Sequence, residues 1–378
     1  MGSRSEFPVQ PIQRFAGKSA PIKRPEEITC FSYDVNREFR WDESSLQYYW
    51  PPSLPADLSA GFDTFNKWDD STDEHLDGLV KALMLHEKSI GERLKTDFVT
   101  WRGMMTRFMT APFDQFNSFD MNATLFQGTI FIEEDHPSKF EDKKEQSNRP
   151  PNRNGLSQDI MSFWGYKFES LALIPDIWDN VSRDFIESRE EHIVDNIQQY
   201  CSVVYTQIGD ASLVLGGEVD AVWDRKPDDK TLPINWVELK TSEEIQSERD
   251  HIKFERKLLK FWVQSFLIGC PKIIVGFRSK SGQLQRLQEI QTQSIPGTVK
   301  RGKASWNGNM CVNFAAEVLE FLKKSITSEG VWRISRKKGD PNISVYKIEE
   351  TGTGQILRDD FIEWRQQLTA KEVAQMLK

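Results

Sequence analysis

The chain has 378 residues, with 49 Lys and Arg against 57 Asp and Glu, a formal net charge of −8. Hydrophobic residues make up 38%, aromatic residues 11% and charged residues 28%, enough apolar side chain for a large core, so disorder throughout is excluded. The acidic balance also excludes a protein that coats nucleic acid through many phosphate contacts, while leaving room for a local basic track.

Residues 1–18 are polar, carry Pro8 and Pro11 and lack the apolar stretch of a secretory signal. Residues 1–24, taken as a whole, read as a flexible N-terminal segment ahead of a single domain over 25–378. No run of eighteen apolar residues occurs, so no membrane association is expected and the protein reads as soluble and unsecreted. Cys30, Cys201, Cys270 and Cys311 are widely spaced, which suits a reducing compartment better than a disulfide frame.

The aromatic, proline-punctuated stretch 25–52 reads as an extended segment over a core, and no chemistry is placed there. Leu76, Leu79, Val80, Leu83 and Met84 stand at the spacing of one apolar helix face, so a helix is predicted from about residue 73. A second is predicted over 97–109, stopped by Pro112. Residues 135–158 are the most polar and turn-rich of the chain and predict a mobile loop. After a helix over 161–173, short β-branched or aromatic runs predict strands at 202–208, 213–223, 235–241 and 272–277. A long helix over 253–268 joins the last two. A helix over 312–324 and a hairpin turning at Gly339-Asp340-Pro341 complete an α/β fold of mixed twisted sheets flanked by helices.

Three acids interrupt these apolar strands. Period-two geometry puts Glu218 and Asp220 on one face, and Glu238 and Lys240 on one face of the next strand, with Val237 and Leu239 on the other. A single acidic pair is more often a solvated sheet face with cross-strand ion pairs. Two such pairs on successive strands point instead to a metal site, because clustered carboxylates repel one another and are costly to desolvate unless a cation compensates them. Mg2+ or Mn2+ suits an oxygen ligand set that must also approach phosphate. Lys240 would orient or activate a water, or neutralise charge developing on phosphorus.

On the long helix, Lys253, Arg256, Lys257 and Lys260 follow an i, i+3, i+4, i+7 spacing that Gln264 continues, a basic stripe able to hold a polyanion. Taken alone, Glu169 reads as an exposed helix carboxylate and Arg102 as a structural arginine.

Asp220 followed, after seventeen intervening residues, by Glu238-Leu239-Lys240 resembles the pattern of the PD-(D/E)xK nuclease superfamily. Five motifs in order, Trp101-Arg102-Gly103, Gly165-Tyr166-Lys167-Phe168-Glu169, Gly217-Glu218-Val219-Asp220, Glu238-Leu239-Lys240-Thr241-Ser242 and Trp262-Val263-Gln264-Ser265-Phe266, resemble the DXO/Rai family of RNA 5′-end decapping enzymes. The similarity runs from about residue 25 to the C-terminal helix and is greatest to the fungal nuclear Rai-type members. It implies a PD-(D/E)xK nuclease-like core and a catalytic domain that removes pyrophosphate from 5′-triphosphate RNA, or an unmethylated or NAD cap. The product is 5′-monophosphate RNA for a nuclear 5′→3′ exoribonuclease, which the family member also binds and stabilises in the nucleus.

The same resemblance assigns Glu169, Glu218, Asp220, Glu238 and the backbone carbonyl of Leu239 as ligands of a divalent metal. It assigns Lys240 and Gln264 to the nucleophilic water and scissile phosphate, and Arg102 to the RNA 5′ phosphates. Two rival expectations are a mainly stabilising subunit of that exoribonuclease, and a DNA endonuclease built on the same core.

Overall fold

The structure is a computed structural model that describes residues 4–147, 155–229 and 232–377. Its β-branched and aromatic runs, covered on both faces, assemble into two mixed sheets. The larger has ten strands in the order Ser5–Pro8, Asn342–Glu349, Val331–Arg336, Phe119–Phe126, Thr129–Glu134, Phe98–Trp101, Ala211–Glu218, Gln199–Ile208, Ile22–Tyr33 and Phe39–Arg40. The smaller has seven, in the order Ala56–Asp57, Gln283–Gln291, Lys272–Arg278, Trp236–Glu243, Ala221–Val222, Tyr48–Tyr49 and Leu173–Ile174.

Helices Arg102–Thr110, Glu248–Ile268 and Gly308–Ser325 share one apolar cluster with residues of both sheets, among them Leu213, Leu215, Ile273 and Val275. A second cluster joins helices Asp77–Ile90 and Asp359–Met376 to the other face of the ten-stranded sheet, through Val99, Val203 and Val214. A third seats helix Gln158–Ala172 on the far face of the seven-stranded sheet, against Val237, Leu239 and Ile274. Leu76, Leu79, Val80, Leu83 and Met84 are all buried, as their spacing predicts. The α/β class stands as read from the sequence, and so do the strands expected at 202–208, 235–241 and 272–277.

Four expectations are corrected. The N-terminal segment is not loose: Ser5–Pro8 pairs antiparallel with Asn342–Glu349, and Phe7, Val9 and Phe15 are buried, with Phe7 and Phe15 both against Phe314. Three large apolar side chains outweigh the polar composition around them. The helix expected over 97–109 is a strand, Phe98–Trp101, followed by a helix, Arg102–Thr110. The aromatic and β-branched run Phe98-Val99-Thr100 belongs between two parallel neighbours, Ala211–Glu218 and Thr129–Glu134.

The loop expected over 135–158 begins instead as helix His136–Ser147, and its middle, 148–154, lies outside the described residues. Asp135 acts as its cap, its Oδ2 accepting from Ser138 Oγ at 2.6 Å and Ser138 N at 3.3 Å, with Pro137 in the first turn. Finally, 213–223 is not one strand. The chain leaves the large sheet after Glu218 and enters the small one at Ala221.

Candidate active site

The crossing between the sheets positions the first two acids. Ala221 pairs with Val237, which draws the preceding Asp220 onto the next strand, where its Oδ2 accepts from the Leu239 amide at 2.6 Å. Glu218 and Asp220 therefore reach one cleft from opposite sides of a sheet junction rather than from one pleated face. Gly216 and Gly217 make the junction possible. A Cβ at Gly216 would lie 2.9 Å from the Trp101 ring, and one at Gly217 would lie 3.3 Å from Arg102 Cβ. These two glycines let the 98–101 strand and the helix it feeds approach closely enough to place Arg102 over the site.

Glu238 and Lys240 do share a strand face. Lys240 Nζ donates to Glu238 Oε1 at 2.5 Å, and Arg102 Nη1 donates to Glu238 Oε2 at 3.0 Å. Glu238 is 1% exposed, and burial alone would push its carboxyl up; Arg102 and Lys240 outweigh that and hold it down at about 2. Lys240 responds in the opposite direction: burial disfavours its charge, but Glu238 and Asp220 raise its pKa and keep it protonated.

The other three carboxylates lack such partners. Burial, then the charge of Glu238, pushes Asp220 up to about 7. Glu169, on helix Gln158–Ala172, is raised well above the usual range by burial and by Asp220 and Glu218. Glu218 is raised by burial, although Arg102 draws it down. Its surface stays accessible because it forms a wall shared by two cavities, while the surrounding protein still removes much of its hydration.

One cavity, of about 260 Å3, is lined by Tyr166, Glu169, Phe185, Tyr200, Glu218 and Asp220. The other, of about 300 Å3, is lined by Tyr33, Arg37, His75, Trp101, Glu133 and Glu218. Charge interactions link Glu169 to Asp220, Glu218, Lys240 and Glu238, and Arg102 to Glu238, Asp220 and Glu218. Gln264 lies on helix Glu248–Ile268, partly exposed; it lines neither cavity and makes no hydrogen bond among the described residues.

The donor set fits a hard divalent cation, since three desolvated carboxylates repel one another and, among the described residues, no side-chain cation forms an ion pair with them. They are not drawn into a tight cage, however. Among the described residues, the two groups of three acidic, histidine or cysteine side chains with ligand atoms within 4.8 Å are Glu27–Cys30–Glu43 and Asp73–His75–Glu133. Neither contains a predicted ligand.

Arg37 was invisible to sequence reasoning. It stacks between Tyr33 and Trp68 at 4.0 and 5.0 Å, is held by Glu74 at 2.8 Å and Gln199 at 2.6 Å, and its charge favours ionisation of Glu218. No motif or periodicity in its surroundings marks it, and only the pairing of strand Ile22–Tyr33 with Gln199–Ile208 carries it to the site.

A family model described as a RAI1-like PD-(D/E)XK nuclease matches residues 23–362. The decapping nuclease RAI1 of Aspergillus fumigatus is 55% identical over 360 residues, 95% of this chain and 98% of that one. Decapping nuclease din1 of Schizosaccharomyces pombe is 35% identical over 331 residues, 81% of this chain and 88% of that one. Among solved structures, Candida albicans Rai1 in complex with pU5 and Mn2+ superposes with a TM-score of 0.88 at 30% identity, covering 97% of this chain and 100% of that one. Scheffersomyces stipitis Rai1 in complex with 3′-NADP+ and calcium gives 0.86 at 28% identity, covering 96% and 100%. The crossed sheets, the Asp220 and Glu238-Leu239-Lys240 geometry and these matches agree: the chain belongs to the RAI1-like PD-(D/E)XK nuclease family.

Proposed function

We propose that this chain is a divalent-metal-dependent decapping nuclease that hydrolyses RNA 5′ ends to leave a 5′ monophosphate. The observation that carries the reading is the group of Glu169, Glu218 and Asp220, raised in pKa beside a Glu238–Lys240–Arg102 network in a cleft between two cavities. That relatives of this fold hold pU5 with Mn2+, or 3′-NADP+ with calcium, supports a nucleotide 5′ end as ligand and lends support to NAD-capped RNA as a further proposed substrate.

Glu169, Glu218, Asp220, Glu238 and the Leu239 carbonyl would hold Mg2+ or Mn2+, which when bound supplies charge stabilisation for displacement at phosphorus. Lys240, kept protonated by Glu238, serves as a fixed cation at the reacting phosphate and not as a base. Arg102 opens helix Arg102–Thr110, so its guanidinium and the helix N-terminus both favour the 5′ phosphates there. Gln264 positions the scissile phosphate or the water beside it.

The test is pyrophosphate release from 5′-triphosphate RNA by the wild type and by Glu218→Ala/Asp220→Ala with each metal. Release by the wild type and none by the variant is expected, and equal release by both would sink the reading. Capped RNA set against a DNA duplex tests the endonuclease alternative, which requires that only the duplex be cut. By family likeness the protein also binds and stabilises a nuclear 5′→3′ exoribonuclease in the nucleus. Co-elution of the two on gel filtration, and nuclear fluorescence of a tagged chain, are the corresponding tests.

A further inference from the structure

The cavity of about 300 Å3 that Glu218 borders has a second group of ligand-type side chains in its wall. Asp73 and His75 come from the turn ahead of helix Asp77–Ile90, and Glu133 from strand Thr129–Glu134. One ligand atom from each lies within 4.8 Å of the other two. None of the three belongs to the acids assigned above to the catalytic metal.

His75 Nδ1 stands 3.1 Å from Glu133 Oε2, 3.2 Å from Glu133 Oε1 and 3.7 Å from Asp73 Oδ2. A ring nitrogen carries at most one hydrogen, so a single hydrogen faces three carboxylate oxygens. Glu133 is 3% exposed, and among the described residues no Lys or Arg forms an ion pair with it or with Asp73. Buried carboxylates are ordinarily matched by a cation or by several donors, and this one has an imidazole and a second carboxylate. His75 reaches its place with a φ of 46°, a left-handed backbone conformation that is costly for a residue other than glycine.

The spacing is that of ligands around one ion. A divalent cation held at about 2.0–2.2 Å from nitrogen and carboxylate oxygen keeps neighbouring ligand atoms roughly 3.0–3.6 Å apart. Both contacts to Glu133 fall in that range, and Asp73 Oδ2 has only to close slightly. A cation in place of the shared hydrogen, with that hydrogen carried on Nε2 instead, satisfies all three groups at once.

The donor set selects the ion. One imidazole nitrogen with two carboxylates suits Zn2+, whereas Mg2+ and Ca2+ favour oxygen throughout, and Mn2+ stands below Zn2+ in affinity for such ligands. Three protein ligands leave a fourth position, and the cavity that all three border has room for a water there.

We propose that Asp73, His75 and Glu133 form a Zn2+ site, separate from the Glu169, Glu218 and Asp220 group, that fastens the turn carrying Glu74 to strand Thr129–Glu134. Glu74 holds Arg37 at 2.8 Å, and Arg37 lines the same cavity, so the ion fixes one wall of it. The assignment does not depend on the decapping reading. In chelator-treated protein the group reverts to a plain imidazole–carboxylate pair.

The test uses Zn2+ alone as the probe, on chelator-treated and buffer-exchanged protein in millimolar Mg2+. Glu218→Ala/Asp220→Ala, which lacks two ligands of the cleft, is compared with the same chain carrying in addition His75→Gln or Glu133→Gln. Titration calorimetry is expected to show one Zn2+ bound per chain in the first. Either added substitution should weaken Kd by at least about a hundredfold, since even the outer hydrogen-bond partners of metal ligands are worth about 10–100-fold. Zn2+ should raise the Tm of the first chain and leave that of the other two unchanged. With chelator present all three are expected to melt cooperatively, because glutamine keeps a polar side chain of similar size at each position. Independently of any substitution in the group, Zn2+ should protect His75 from acylation by diethyl pyrocarbonate, read by peptide mass spectrometry, because the ion and the hydrogen then occupy both ring nitrogens.

Absence of a bound Zn2+ from the first chain overturns the proposal. So does a bound Zn2+ that both added substitutions leave intact, or acylation of His75 that saturating Zn2+ does not slow, because the ion would then sit elsewhere.

Discussion

Arg102 and Glu238 stand 136 residues apart in the chain, and their side chains meet at 3.0 Å, the guanidinium closing over a carboxylate whose other oxygen Lys240 holds at 2.5 Å. Two cations on one buried carboxylate make it the fixed point of the site. Among the described residues, the neighbouring acids Glu169, Glu218 and Asp220 have no comparable partner.

Removing that fixed point leaves two buried cations uncompensated. Glu238→Ala is therefore expected to lose about 3–5 kcal/mol of unfolding free energy in urea as well as pyrophosphate release. A loss under about 1 kcal/mol would mean that Arg102 and Lys240 find other partners.

Glu218 and Asp220 act in the opposite direction, since they repel one another and Glu169 when no metal is bound. In chelator-treated protein near pH 8, Glu218→Ala/Asp220→Ala is expected to melt at or above the wild-type temperature. Mn2+ should raise the Tm of the wild type in a concentration-dependent way and leave that of the variant unchanged. A Tm rise of equal size in both would place the cation elsewhere.

Glu133 is 3% exposed and faces His75 Nδ1 at 3.1 Å, yet burial pushes its carboxyl up to about 7 from an ordinary 4.5. A raised folded-state pKa means that the native state binds this proton more tightly than the unfolded chain, so stability falls as pH rises from about 4.5 to about 7. The full penalty, present above that window, is on the order of 3 kcal/mol. The difference in Tm between Glu133→Gln and the wild type should accordingly grow in favour of the variant as pH rises through that range. A constant difference across pH would show that the carboxyl titrates normally.

Gly216 packs against a rigid ring: an added Cβ would lie 2.9 Å from Trp101 and 3.0 Å from Leu79 Cδ1. Gly216→Ala is expected to cost about 1–3 kcal/mol in thermal unfolding, and to lower activity further by shifting Trp101 and with it Arg102. Melting and pyrophosphate release together check this, and a variant with wild-type values in both would remove the glycine from the account.

The helix Asp77–Ile90 was legible because it buries a face with a clear period, and the strands Gln199–Ile208, Trp236–Glu243 and Lys272–Arg278 because each contains a short β-branched or aromatic run, nearly all of it buried. The segment 97–109 misled because Phe98-Val99-Thr100-Trp101 and the helix after it are both apolar, and a short apolar run does not declare its period. The N-terminal segment misled because composition averages over Phe7, Val9 and Phe15, and a few large side chains suffice to anchor a strand.

At the site, the local Glu238 and Lys240 pair could be read directly, because two residues along a strand necessarily share a face. Glu169 and Arg102 could be named only through motif likeness, since nothing in their own surroundings separates them from ordinary helix residues. Arg37 carried no signal at all.

The sequence by itself determined the chemistry on offer: an acid-rich pair of apolar strands, a lysine two residues after the central glutamate, a basic helix face, and five motifs in a recognisable order. Only the tertiary structure decided how those groups are charged. Glu238 at about 2 and Asp220 at about 7 are carboxylates with apolar residues on both sides in the sequence, and they differ because Arg102 and Lys240 donate hydrogen bonds directly to Glu238, whereas Asp220 accepts from the Leu239 amide. Electrostatic energy in a buried site varies steeply with separation, and separations between residues far apart in the chain are set by packing, which no local pattern encodes.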